Sequence, residues 1–173
     1  MSFARVRAIV VTAVLVVAAA VLVVVAVLRD SQRGAVAAGC PDGAVTADLT
    51  LPDNAQEVTV KVFNGSTIRG RAVNVSADFR NRKFRTEKPA ENKRKIDDVA
   101  LIRYGPEAVG KAWLVRAYLL NQADVQYDAE RQGGVVDVVV GENFRELATY
   151  TEVSQSLVEL GEPQLPPGAC ERA

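Results

Sequence analysis

Val58-Thr59-Val60-Lys61-Val62-Phe63-Asn64-Gly65-Ser66 decides how the rest of this 173-residue chain is read. From Gln56 to Phe63 the apolar and polar residues alternate, with Val58, Val60 and Val62 on one face and Thr59 and Lys61 on the other, the period of a half-buried strand. Asn64-Gly65-Ser66-Thr67 interrupts that period. Beyond it Ile68, Ala72, Val75 and Phe79 recur at helical spacing, and Ser66 or Thr67 is placed to cap the helix.

The same grammar then repeats. Phe84 to Glu87 is a short strand stopped by Lys88-Pro89, Ala90 to Asp98 a charged loop, and Val99 to Tyr104 the next strand. Gly105-Pro106 opens a second helix, with Ala108, Ala112, Val115 and Leu119 as its stripe and Val109, Trp113, Ala117 and Leu120 widening it. Asp124 to Asp128 and Val135 to Val140 are strands joined through the turn at Gln132-Gly133-Gly134. The last strand is apolar on both faces except at Asp137, so it is expected to be central and covered. The order β-α-β-β-α-β-β, with both helices on one face of a mixed sheet, predicts an α+β fold, a two-layer sandwich of ferredoxin-like character. Glu142 to Leu160 holds one or two short helices anchored by Phe144, Leu147, Leu157 and Leu160, and 163–173 is an extended tail.

Ahead of this domain, Ala8 to Leu28 contains a single polar residue, Thr12. As a helix it is roughly 31 Å long, enough to cross a bilayer once. The short lead with Arg5 and Arg7 favours a cytoplasmic N-terminus and an external C-terminal domain. A cleaved signal peptide is the rival reading, although its apolar region is usually about 7 to 15 residues. The expected organisation is a cytoplasmic start (1–7), a transmembrane helix (8–28), an external linker (29–56), the folded domain (57–147) and a C-terminal extension (148–173). Ala37-Ala38-Gly39-Cys40 has the form of a lipidation box, but the polar stretch Arg29 to Gly34 sets it away from the apolar run. Cys40 and Cys170 bracket the domain; outside the membrane they most simply pair, the alternative being two free thiols on the chain ends.

The chain has no histidine, which removes Ser-His-Asp and Cys-His catalysis and histidine-ligated metals. Lys plus Arg and Asp plus Glu both number 21, a balance that argues against a nucleic-acid partner. The charges are nevertheless segregated. Residues 69–95 carry ten basic groups against three acids, including Arg80, Arg82, Lys83, Arg85, Lys88, Lys93, Arg94 and Lys95. Residues 124–173 carry ten acids against three basic groups. A cationic segment of this kind suits lipid headgroups or anionic wall polymers; it also suits neutralisation within the domain or a merely solvated face. Asn64-Gly65-Ser66-Thr67 is better explained as a turn and cap than as an anion-binding loop, and Asp97 and Asp98, adjacent in an extended segment, point apart rather than forming a catalytic pair.

The run from Val58 to Ser66 followed by Gly70-Arg71-Ala72 resembles the opening motif of the LytR C-terminal domain family. Ile102-Arg103-Tyr104-Gly105, and Val135 to Gly141 followed by Phe144, extend the resemblance over residues 57–147. The motif residues Asn64, Gly65, Ser66 and Gly70 are in place; Arg82-Lys83-Phe84 departs from the family, which often has Gly before the aromatic residue. In many relatives this domain follows a phosphotransferase domain that attaches anionic glycopolymers to peptidoglycan, and stand-alone members look like accessory envelope proteins. The resemblance implies a membrane-anchored, non-enzymatic protein with no cofactor, binding peptidoglycan, anionic wall polymer or envelope-assembly proteins to maintain envelope integrity. The alternative is a regulatory or scaffold subunit docked on a membrane glycopolymer transferase.

Overall fold

The computed structural model describes residues 13, 16–21, 23 and 44–171. The chain divides into two units, Met1–Asp42 and Gly43–Ala173. In the first unit the described residues are helical and exposed. Most of the apolar run 8–28 and Cys40 lie outside the described residues, and among the described residues no helix is long and apolar enough to cross a membrane.

The second unit is a mixed α+β domain. Its strands are β1 (Thr46–Ala47), β2 (Thr59–Asn64), β3 (Arg85–Thr86), β4 (Ala90–Glu91), β5 (Ala100–Tyr104), β6 (Asp124–Tyr127), β7 (Val135–Val140) and β8 (Cys170–Glu171). Its helices are α1 (Arg71–Asn81), α2 (Val109–Tyr118) and α3 (Tyr150–Leu160). The main sheet runs β3-β2-β7-β5-β6, with β4 also pairing β2. β2 is parallel to β3, β4 and β7, β5 is parallel to β6, and β5 is antiparallel to β7.

This order corrects the ferredoxin-like expectation. In a split β-α-β arrangement another strand separates the two parallel strands, whereas here β2 pairs directly with β3 and β5 directly with β6. It also corrects the joining of the last two strands: β5 lies between β6 and β7, so the turn at Gly133 (φ 82°) leads across a strand and does not close a hairpin. The segment expected as a charged loop contributes β4, whose Ala90 and Glu91 pair with Phe63 and Asn64.

One face of the sheet is built from Val60 and Val62 of β2, Val136, Val138 and Val140 of β7, and Ala100 and Ile102 of β5, all 0% exposed. Ala72, Val75 and Phe79 of α1 and Val109, Ala112 and Val115 of α2 belong to the same core. Burying each valine contributes about 1.5–3 kcal/mol relative to leaving it exposed. Phe84 joins the two helices, meeting Phe79 at 5.0 Å and Tyr118 at 4.8 Å between ring centroids, both edge to face. Such pairs add about 0.5–1.5 kcal/mol each.

Helix α1 starts later than its capping residues suggested. Gly70, at φ 76°, is the N-cap and offers no side-chain bond, and Ile68 lies outside the helix and is exposed. The Ser66 hydroxyl instead donates to Asn64 Oδ1 (2.8 Å), and the Thr67 N–H donates to the Glu142 carboxylate. At the other end Lys83 takes the left-handed conformation (φ 73°). Its N–H donates to Arg80 O (2.8 Å) and the Phe84 N–H to Phe79 O (3.0 Å), the paired bonds of a Schellman ending. A glycine is the natural residue there, which gives the Lys83 departure a physical meaning: this chain tolerates a side chain where the backbone favours none.

Beyond the sheet, α3 is a single helix with a capping box between Thr149 and Glu152. Arg82 donates to the carbonyls of Leu147 (2.7 Å) and Ala148 (3.2 Å), and Trp113 Nε1 donates to Gly161 O (2.9 Å), so α3 and its lead are tied to both other helices. The tail does not remain loose either. β8 pairs in parallel with β1, Cys170 opposite Thr46, and Ala47 is fully buried.

Candidate functional site

Among the described residues, none of the helices of this second unit packs on the other face of its sheet, whose residues fall into rungs. Lys61, Asp137, Arg103 and Gln126 lie opposite one another across β2, β7, β5 and β6. The next rung is Phe63, Val139, Leu101 and Asp124. A charged row therefore borders a largely apolar one.

Asp137 is 7% exposed and is the hub of the charged row. Arg131, in the turn before β7, grips it through two bonds of 2.8 and 2.9 Å, and Arg103 stands 3.7 Å away. The hydrogen bond to Asp137 raises the Arg131 pKa further from neutrality, so that guanidinium stays charged. Lys61 pairs with Glu87 at 3.3 Å. Arg103 and Lys61 also sit against the Phe63 ring, 5.1 and 5.7 Å from its centroid, which orients both cations without neutralising them.

The segment 91–96 borders the end of this face and is strapped to the Asn64-Gly65-Ser66 turn. Asn92 N–H donates to Asn64 O (3.0 Å), Ile96 N–H to Gly65 O (2.8 Å), and Lys95 Nζ to Ser66 O. Asn64, 2% exposed, holds the turn by accepting from the Ser66 N–H (3.0 Å) and donating to Ile68 O (3.0 Å). Gly65 is required by proximity: a Cβ there would stand 2.8 Å from Val139 Cγ1 and 3.1 Å from Val140 O. Between the strap and the sheet lies a groove of about 650 Å3 lined by Phe63, Glu91, Asn92, Lys93, Arg94, Ile96, Leu101, Arg103 and Gln126.

The basic residues read from the sequence separate into two groups. Arg85 pairs with Thr59 at the start of β2, and Ala90 with Phe63 near its end, an offset of four residues or roughly 13 Å. Around the first point are Arg80, bonded to Thr86 Oγ1 (3.2 Å), Arg82, committed to carbonyls, exposed Lys83, and Arg85, whose Nε donates to Gln56 O (2.6 Å). Lys88 is exposed in the stretch between β3 and β4. Lys93 and Arg94 line the groove and are exposed, and Lys95 also approaches Glu91 at 3.9 Å. Lys83, Lys88, Lys93 and Arg94 form no ion pair with any acid among the described residues.

Sequence reasoning missed Arg103, Phe63 and Asp137 as site residues. The signal was present as a charge on each of two strands of otherwise apolar character, but which strands are neighbours was not. The anion-binding alternative for Asn64-Gly65-Ser66-Thr67 meets an occupied position, because the protein's own Glu142 carboxylate takes the Thr67 N–H. Hydrogen bonds from the Thr67 hydroxyl and N–H hold Glu142 below its ordinary pKa of 4.5. Among the described residues no cluster of three metal-ligating side chains is found, and no cysteine is free.

Residues 57–144, half of the chain, match the family model described as LytR cell envelope-related transcriptional attenuator, and the chain belongs to that family. In sequence, the single domain with an apolar lead and flanking cysteines also resembles the actinobacterial envelope integrity protein Cei. No curated protein matches the sequence. Among solved structures, the fold is similar to the soluble domain (residues 71–217) of a conserved hypothetical secreted protein, an Rv2700 ortholog, from Mycobacterium marinum. The TM-score is 0.55 at 22% identity, covering 66% of this chain and 82% of that one.

Proposed function

We propose that this protein is an accessory component of the bacterial cell envelope, anchored by residues 8–28 with its domain outside the membrane, and that the domain binds wall components without catalysing their reaction. The observation that carries this reading is the set of exposed, unpaired cations on residues 83–94, concentrated on one stretch of a chain whose net charge is zero. Such charges attract a polyanion over distances of a Debye length, about 8 Å at physiological salt. Family membership, with its envelope-related description, supports the location. A bond between Cys40 and Cys170 belongs to the same proposal: β8 lies on β1, which begins six residues after Cys40 in the chain.

The test is cosedimentation of the full-length protein, in detergent, with purified wall sacculi bearing their anionic polymers. Retention is expected to fall steeply with added salt and to be lost when Lys83, Arg85, Lys88, Lys93 and Arg94 are all replaced by Gln. Salt-independent retention, or retention by that variant, would overturn the reading in favour of docking on an envelope enzyme. Protease added to intact protoplasts should digest everything after about Ala35, and full protection would reverse the topology. Peptide mapping without reductant should recover Cys40 and Cys170 in one crosslinked fragment.

A further inference from the structure

We propose that the groove on the helix-free face binds an anionic saccharide segment, Lys93, Arg94 and Arg103 taking its charge and Phe63, Leu101 and Ile96 its carbon surface. The inference rests on the wall-binding reading and assigns it a place and a ligand class. Three observations carry it. The volume of about 650 Å3 falls within the 300–1,000 Å3 common for small-ligand clefts and far exceeds what a lone phosphate would fill. The lining is split by chemistry: apolar side chains from the second rung and the strap, cations beside them, and the Gln126 amide opposite Arg103 as a hydrogen-bonding group; the one acid that lines it, Glu91, is engaged by Asn64 Nδ2 (3.3 Å) and Lys95 (3.9 Å). That mixture of apolar, amide and cationic groups matches a sugar carrying a carboxylate or phosphate, whose ring offers C–H faces, hydroxyls and charge together.

The third observation is preorganisation. Arg103 is positioned from two sides, by Asp137 at 3.7 Å and by the Phe63 ring at 5.1 Å, while Lys93 and Arg94 remain exposed and without ion pairs among the described residues. A planar guanidinium fixed beforehand loses little freedom when it meets a carboxylate or phosphate through paired bonds. The Asn64-Gly65-Ser66 turn thereby acquires a role at the site: through its bonds to Asn92, Lys95 and Ile96 it fixes the strap that carries Lys93 and Arg94.

Fluorescence anisotropy on the full-length protein in detergent would use four probes: a labelled galacturonate oligomer, a labelled gluco-oligomer bearing phosphate monoesters, a labelled neutral gluco-oligomer, and unlabelled inorganic phosphate as competitor. Binding of at least one charged oligomer is expected, with its affinity reduced about tenfold or more by the double variant Lys93→Gln/Arg94→Gln at unchanged thermal midpoint. Arg103→Lys, which keeps the charge and loses the fork, should lower affinity by an intermediate factor. The two charged oligomers separate a carboxylate from a phosphate source. Equal binding of the neutral oligomer, full displacement by phosphate at matched charge concentration, or an unaffected Lys93→Gln/Arg94→Gln variant would each overturn the assignment. If that variant binds normally while Lys83→Gln/Arg85→Gln/Lys88→Gln loses sacculus retention, the groove is wrong and the wall-binding role stands.

Discussion

On the helix-covered side of β7 the chain places Val136, Val138 and Val140; on its other side the same strand places Val135, Asp137 and Val139. Residues 136–140 are all buried, yet they are buried differently. The first set belongs to the apolar core that α1 and α2 complete. The second is closed over by side chains of the sheet itself and by the strap, and it contains a carboxylate held by arginines. A covered face gains stability chiefly from buried apolar area. An uncovered face can retain charge at a buried position when each charge has a partner, and it leaves the partners' outer atoms available to solvent or ligand.

This contrast has measurable consequences. Phe79→Ala, which opens the covered face where α1 meets Phe84, should destabilise the domain by about 3–5 kcal/mol in urea unfolding. A loss under 1 kcal/mol would show that this side is not the core. On the open face Asp137→Asn keeps the shape and removes the charge, and a loss of about 1.5–3 kcal/mol is expected because Arg131 and Arg103 are left facing a neutral amide. If the two substitutions cost the same, the difference between the faces disappears.

Smaller effects lie away from the sheet. Thr149→Ala removes the hydroxyl half of the capping box of α3, leaving the Thr149 N–H to Glu152 bond, and should cost about 1 kcal/mol. The same cap makes stability depend on pH. The Thr149 N–H and hydroxyl hold Glu152 below its ordinary 4.5, as Thr67 does for Glu142. A carboxyl depressed in the folded state binds its proton more readily when unfolded, so its contribution is present above about pH 4.5 and is lost as pH falls through the lower folded value. Glu142→Gln/Glu152→Gln should flatten the acid limb of the stability profile, and an unchanged limb would remove these bonds from solution. Lys83→Gly relieves the left-handed backbone at the end of α1 and should raise stability by about 0.5–1 kcal/mol. Lys93→Gln/Arg94→Gln, at exposed positions, should stay within about 0.5 kcal/mol of the parent.

Much of the architecture was legible in residues 58–160 because it follows from local periodicity. Alternation at Val58, Val60 and Val62 marked β2, and the spacings of Ala72, Val75 and Phe79 and of Ala112 and Val115 marked the helical faces that the structure buries. The helix start was misread because Ser66 and Thr67 have the right chemistry for a cap but spend it on Asn64 and Glu142. The Glu142 partner is 75 residues away in sequence and leaves no local trace. β4 was missed for a related reason: two residues among charges carry no period, and their pairing with Phe63 and Asn64 exists only once β2 is in place.

The sequence by itself determined which segments alternate, which are helical, that histidine chemistry is absent and that positive charge gathers between residues 69 and 95. Only the tertiary structure decided that β7 inserts between β2 and β5, that the basic segment divides along β2, and that Arg103, Phe63 and Asp137 share one face with Lys93 and Arg94. Secondary structure answers to neighbours within a few residues, which the chain displays in order. Strand order and cross-strand rungs answer to pairings between residues tens of positions apart, chosen by the burial of whole faces at once.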